Sequence, residues 1–136
     1  MTAYPPDDAV AIRDLIAGYA LALDAGDVDG CVRLFASDGE FLAYGRTFAG
    51  HDGIAGMFRA AARGLHLTGV SRITVDGDRA SARSQVLFVR CGDLQLRPAL
   101  YDDELTRVDG QWRFARRRCR FITSGGLAES PEVTPA

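Results

Sequence analysis

The sequence predicts an α+β domain in which helices come first and an antiparallel sheet follows, the helices lying on one face of that sheet. Two observations carry this prediction. Apolar residues recur every three or four positions as far as Arg63, and every second position from Leu65 onward. The second half also holds two Asp-Gly turns, Asp76-Gly77 and Asp109-Gly110, each set between long alternating runs. A length of 136 residues is that of one domain, and 47% apolar residues can build a core without staples.

Met1–Pro6 reads as a loose leader, and Asp7 or Asp8 as the cap of the first helix. The buried stripe of that helix is Ile12, Leu15, Ile16, Tyr19, Ala20 and Leu23, all on one face. Gly26 ends it as a left-handed cap. Asp27 caps a short second helix carrying Val28, Cys31, Val32, Leu34 and Phe35, which Ser37-Asp38-Gly39 breaks. Glu40 to Phe48 is a short extended pair interrupted at Tyr44-Gly45. A third helix is expected over Asp52–Arg63, with Ile54, Met57, Phe58 and Ala61 buried. Four strands follow: Leu65–Val75, Arg79–Arg90, Leu94–Val108 and Gln111–Ile122, forming an antiparallel meander. Pro98 marks a bulge or an irregular stretch. Residues 1–123 then make the single domain. Residues 124–136, bearing glycine, proline and acid, are expected to be a flexible tail. Such a sheet wrapped over a long first helix encloses a pocket at one end.

Charge and cysteine usage exclude several function classes. All 16 basic residues are arginine, set against 18 acidic ones, for a net charge of −2. A nucleic-acid-binding domain would show a basic excess. No window of about 18 apolar residues exists, so no membrane span is expected. The N-terminus is polar and unlike a signal peptide, so a cytoplasmic protein with reduced thiols is expected. Cys31, Cys91 and Cys119 are far apart and form no CxxC pair. With 2 histidines and no ligand spacing, no metal is expected. The GxGxxG, GxxxxGK[ST], GxSxG and HExxH patterns are absent, so no cofactor is expected either. Proton chemistry on a small molecule in an apolar pocket remains, or binding without chemistry.

Asp24 and His66 are the candidates for that chemistry. Asp24 continues the line Ile16–Ala20–Asp24 at a spacing of four, at the edge of the apolar stripe. Partial desolvation of a carboxylate there makes it a better base, or a better partner for one. His66 opens the first long strand, on one face with Thr68 and Val70, while Leu67 lies with Ile73 and Val75. Histidine moves a proton near neutral pH, and a carboxylate that holds it makes a simple general base. Solvent contact for Asp24 and a structural role for His66 are the alternatives. His51, at a helix start, is expected to face solvent. Tyr19, Tyr44 and Tyr101 can donate to a substrate oxygen or simply pack. Tyr101, Asp103 and Leu105 share a face, and Asp103 can pair with an arginine of the next strand. Arg116, Arg118 and Arg120 share another face, expected to be exposed or ion-paired.

The N-terminal run Ala11-Ile12-Arg13-Asp14-Leu15, then Tyr19, Leu23-Asp24-x-Gly26-Asp27 and Leu34-Phe35-x-x-Asp38-Gly39, resembles the SnoaL-like branch of the nuclear transport factor 2-like superfamily. So do Phe48-x-Gly50, His66-Leu67-Thr68, Val75-Asp76-Gly77-Asp78, Tyr101-x-Asp103-Glu104-Leu105 and Asp109-Gly110-x-Trp112-Arg113-Phe114 with Arg118. The likeness spans Asp7–Phe121. It implies a cone-shaped α+β barrel and an aspartate–histidine dyad, used by scytalone dehydratase and hexachlorocyclohexane dehydrochlorinase of that superfamily, at Asp24 and His66. A second histidine of the dehydratase is absent from Leu87-Phe88-Val89-Arg90-Cys91, and an asparagine common four residues after the first is Val70 here. Tyr19, Arg90 or Arg118 would replace the polarising group, Tyr19 first. Tyr101, Asp103, Phe58 and Tyr44 complete the expected substrate-binding set.

The expected activity is a cofactor-free lyase of the dehydratase type, eliminating water or halide from a hydrophobic, oxygen-bearing molecule. An isomerase or cyclase using the same base, and a non-catalytic lipophilic binding module, are the alternatives. Apolar residues on both sheet faces, Phe88 on one and Leu87 on the other, predict a homodimer through the outer face.

Overall fold

A computed structural model describes residues 7–132. The Met1–Pro6 leader lies outside the described residues. The chain opens with α1 (Asp8–Asp24), α2 (Val28–Val32), β1 (Phe35–Ala43), β2 (Arg46–Ala49) and α3 (Gly50–Ala60). Then come β3 (Gly64–Asp76), β4 (Arg79–Arg90), β5 (Leu96–Val108), β6 (Gln111–Thr123) and β7 (Gly126–Ala128). Asp7 caps α1 by accepting from the Ala9 N–H, and Asp27 caps α2 by accepting from the Gly30 N–H, both at 2.9 Å. Gly26, with φ at 79°, makes the left-handed step between the two helices.

The sheet runs β2-β1-β6-β5-β4-β3, with β7 also on β6. The four long strands form the antiparallel meander, but β1 joins β6 in parallel, so the sheet is mixed. It does not close: β2 and β3 are its edges, in place of the expected barrel seam. Several boundaries and local features differ from the sequence expectation. The second helix stops at Val32, and Phe35 instead opens β1 opposite Phe114. The expected break at Ser37-Asp38-Gly39 is a register shift within β1, between Phe35 and Glu40. Pro98 causes no shift: it lies beyond Ala99–Phe121, the last β5–β6 pair, where a missing N–H costs no ladder bond on that side. Gly126–Ala128 pairs with β6 inside the segment read as a tail.

Two bulges do what Pro98 does not. One falls between Thr68 and Ser71 in β3, the other opposite Glu104–Leu105 in β6. A bulge inserts one residue and so swaps the face that later side chains take. Val70 therefore points outward at 72% exposure, while Ser71 and Ile73 turn toward the helices. This overturns the expected grouping of His66 with Val70 and of Leu67 with Ile73.

The inner face carries the core. Tyr19, Phe35, Phe41, Phe58 and Phe114 meet edge-to-face or tilted, with ring centroids 5.1–6.4 Å apart where they touch. Ile12, Leu15 and Ile16 of α1 and Ile54 of α3 complete it. Met57 is only half-buried and Ala61 is exposed, because α3 ends at Ala60, short of the expected Arg63. No helix among the described residues is long and apolar enough to cross a membrane.

Candidate functional site

Asp24 is the last residue of α1, and His66 the third of β3. The helix stripe turns Asp24 toward the sheet edge, and pleating turns His66 toward the helix. The two meet although 42 positions separate them: His66 Nδ1–H donates to Asp24 Oδ1 at 2.6 Å. The backbone N–H of His66 donates to Asp24 Oδ2 at 2.9 Å. One carboxylate thus holds both the strand and the ring, fixing the proton on Nδ1 and leaving Nε2 with its lone pair. The side chains keep 14% and 18% exposure. Burial lowers the His66 pKa below its ordinary value, outweighing the upward pull of the Asp24 carboxylate. Burial thus favours the neutral form of the His66 ring.

His66 lines a cavity of about 200 Å³ between the sheet, α1 and α3. Its body is apolar, with Leu23, Met57, Phe58, Val86, Phe88 and Phe121 among the walls. The Phe88 ring lies tilted by 46° against the His66 ring, centroids 4.8 Å apart. Tyr19 and Tyr101 form the floor, their rings 5.7 Å apart. Burial raises both phenols well above their ordinary value, so they act as hydrogen-bond donors. Tyr44 stands in the turn after β1 with φ at 57°, half-exposed at the wall and tilted on Phe121 at 5.4 Å. Cys119 lines the cavity too, but burial pushes its thiol up to about 12, which removes it as a thiolate nucleophile.

Asp24, His66, Tyr19, Tyr101, Phe58 and Tyr44 are thus brought together. Three other expected site residues are not. Arg90 ends β4 and is turned to Asp93, its Nε donating at 3.0 Å to a carboxylate outside the cavity. Arg118 lies on the outer face of β6, paired with Glu129, because the β6 bulge gives the inner face to its neighbour. Asp103 is buried behind the floor and closed off by Arg117, whose Nε and Nη2 donate at 2.8 and 3.2 Å. A carboxylate so engaged is not a base for a ligand. His51, expected at the surface, is half-buried and its Nε2 meets the Phe35 carbonyl at 2.9 Å.

Arg117 is the residue the sequence reading missed. It is fully buried, with its guanidinium 3.7 Å from the Tyr101 ring centroid and 4.2 Å from that of Tyr19. Burial works against its charge, yet the Asp103 carboxylate holds its pKa above the ordinary value. A signal for it existed. Trp112 and Phe114 are at even positions, Cys119 and Phe121 at odd ones, and that change of parity requires a bulge between them. Arg97 was missed as well, although it alternates with Ala99, Tyr101 and Asp103 on the inner face of β5.

No group of three or more histidine, cysteine, aspartate or glutamate side chains among the described residues is arranged to hold a metal ion. None of the curated proteins compared with the chain matches it. Solved structures do. A Mycobacterium tuberculosis protein of unknown function is 31% identical, with a TM-score of 0.78, over 84% of this chain and 71% of that one. A candidate scytalone dehydratase from Novosphingobium aromaticivorans is 25% identical, TM-score 0.75, over 95% and 91% of the two chains. A type-3 hexachlorocyclohexane dehydrochlorinase from Novosphingobium barchaimii shares the fold at 23% identity and TM-score 0.75, covering 94% and 95%. The model of the SnoaL-like domain matches residues 7–118, nearly the whole described chain, and the protein belongs to the SnoaL-like family.

Proposed function

We propose that this protein is a cofactor-free lyase of the dehydratase type, in which His66 removes a proton from carbon. The contact between Asp24 and the Nδ1–H of His66 at the cavity wall carries this reading. With Nδ1 committed, Nε2 takes a proton from a carbon next to a carbonyl. The electron pair moves toward that carbonyl oxygen, where the Tyr19 or Tyr101 hydroxyl donates to it. The pair then returns to expel hydroxide or halide from the β-carbon, leaving an enone. Asp24 stabilises the imidazolium that forms, and the apolar walls exclude water from the enolate.

Isomerisation is a second reading, favoured by one observation: His66 is the sole histidine lining the cavity, and no carboxylate lines it with it. The proton that His66 takes can be returned by the same nitrogen to another carbon. Aromatic β-hydroxy and β-chloro ketones incubated in D2O separate the readings. Enone formation supports the lyase. Deuterium entering the substrate carbon with the hydroxyl or chloride retained supports the isomerase. Neither product from such a panel points to a lipophilic binding module. The base also has a pH signature: turnover should rise as pH climbs through the lowered pKa of His66 and be level by neutral pH. A midpoint above the ordinary histidine value of about 6.5 would exclude His66 as that base.

We also propose that two copies pair through the outer face of the sheet. Leu67, Leu87 and Pro98 form one cross-strand row there and Ile122 pairs with Leu127 on the other side of β5, with Leu67 and Ile122 51% and 41% exposed. Apolar groups so placed on a sheet face call for a cover. Sedimentation at micromolar concentration should give a dimer that Leu67→Glu dissociates. A strict monomer counts against the pairing.

A further inference from the structure

We propose that the cavity takes an apolar molecule bearing a carboxylate, and that Arg97 holds this carboxylate. The proposal rests on the cavity reading above and names the substrate class of that site. Three arginines reach the cavity wall: Arg59, Arg63 and Arg97. Arg59 is paired with Asp29 at 3.0 Å. Arg63 lies over Gly26 and donates to the Asp24 carbonyl at 3.3 Å, where it caps the C-terminal end of α1. Arg97 has neither kind of partner among the described residues, and its Nε is a buried donor without an acceptor. Buried donors are nearly always satisfied in a folded protein, and Arg97 is the arginine of this wall that neither a carboxylate nor a carbonyl of the described residues holds.

The placement of Arg97 fits a ligand that also reaches His66. His66, Phe88 and Arg97 are register partners on three adjacent strands, forming one row across the inner face. The His66 ring lies tilted against Phe88, and the Arg97 guanidinium lies 6.0 Å from the centroid of the same ring. Two strand spacings, about 10 Å, separate the backbones of the base and the cation. The Phe88 ring between them is an apolar rest for the body of a ligand. No carboxylate is among the lining residues, and the Asp24 carboxylate at the rim is taken up by two N–H donors of His66. The planar guanidinium, with its paired N–H donors, matches the two oxygens of a carboxylate better than the tetrahedral oxygens of a phosphate ester.

Calorimetry at pH 8, where His66 is neutral, tests this with 3-phenylpropanoate, its methyl ester and 2-phenylethyl phosphate. The acid should bind about tenfold tighter than the ester, as a charge-assisted contact predicts. Arg97→Gln should abolish that preference while leaving ester affinity and the melting temperature unchanged. Arg97→Lys should keep part of it, because the charge remains and the fork is lost. Equal binding of acid and ester, or a preference that survives Arg97→Gln, would overturn the proposal. Tighter binding of the phosphate than of the acid would overturn the carboxylate assignment. The same titrations on His66→Gln should keep the preference. The assignment of Arg97 therefore stands or falls separately from that of the base.

Discussion

Asp24→Asn should slow turnover about 10⁴-fold, nearly as severely as loss of the base itself in His66→Ala. Two oxygens of Asp24 accept two hydrogen bonds, one from the His66 backbone N–H and one from its Nδ1–H. An asparagine offers one acceptor and one donor. The backbone N–H cannot rotate away, so it claims the amide oxygen and leaves the NH2 facing the ring. Nδ1 must then accept, and the proton moves to Nε2, the atom that should receive one from substrate. Nitrogen NMR of the imidazole should find the proton on Nδ1 in the wild type and on Nε2 in Asp24→Asn. Neither variant should unfold the protein, since both side chains sit at the cavity rim and outside the aromatic core. Retained turnover in His66→Ala would remove the proposed base. An unchanged tautomer in Asp24→Asn would remove the orienting role of Asp24.

Breaking the buried ion pair should have the largest effect on stability. Asp103 and Arg117 have no exposed side-chain surface, and Arg117 lies against the rings of Tyr19, Tyr101 and Phe114. Burial pushes the Asp103 carboxyl above its ordinary value against the pull of Arg117. Replacing Asp103 by leucine leaves a cation in the core with no counter-charge. Loss of one partner of such a pair costs about 3–5 kcal/mol. Chemical denaturation should therefore show Asp103→Leu close to unfolded. Asp103→Leu combined with Arg117→Met should recover most of the loss, since the pair's attraction barely offsets its desolvation. A single variant as stable as the wild type would mean that solvent reaches Arg117. The double variant should also lose the one cation facing Tyr19 and Tyr101, and so separate the structural role of the pair from any role in turnover.

Most of the order of elements was written in local sequence. The Ile12-to-Leu23 stripe, the caps at Asp7 and Asp27, and the two Asp-Gly turns each act within a few residues, so periodicity and turn chemistry reveal them. The same stripe, with His66 near the start of β3, already aimed both members of the dyad inward. Contact between them, however, depends on α1 packing against β3, and no local rule sets that. Side-chain facing beyond the first residues of a strand was decided by two bulges. Gly69 and the parity change after Phe114 hint at them, but only pairing with the neighbouring strand fixes where the extra residue sits. That placement buried Arg117, sent Arg118 to the outer face and closed Asp103 off. Arg97, at the start of β5, faces the cavity by plain alternation with Ala99 and Tyr101, but only packing decided that it lacks an acceptor among the described residues. Sequence alone determined most of the helices and the four long strands, because those preferences are short-range, whereas Phe35 and Gly126–Ala128 became strand only through pairing with β6. Tertiary structure decided which charges are paired, because an ion pair across strands depends on a register that a single inserted residue reverses.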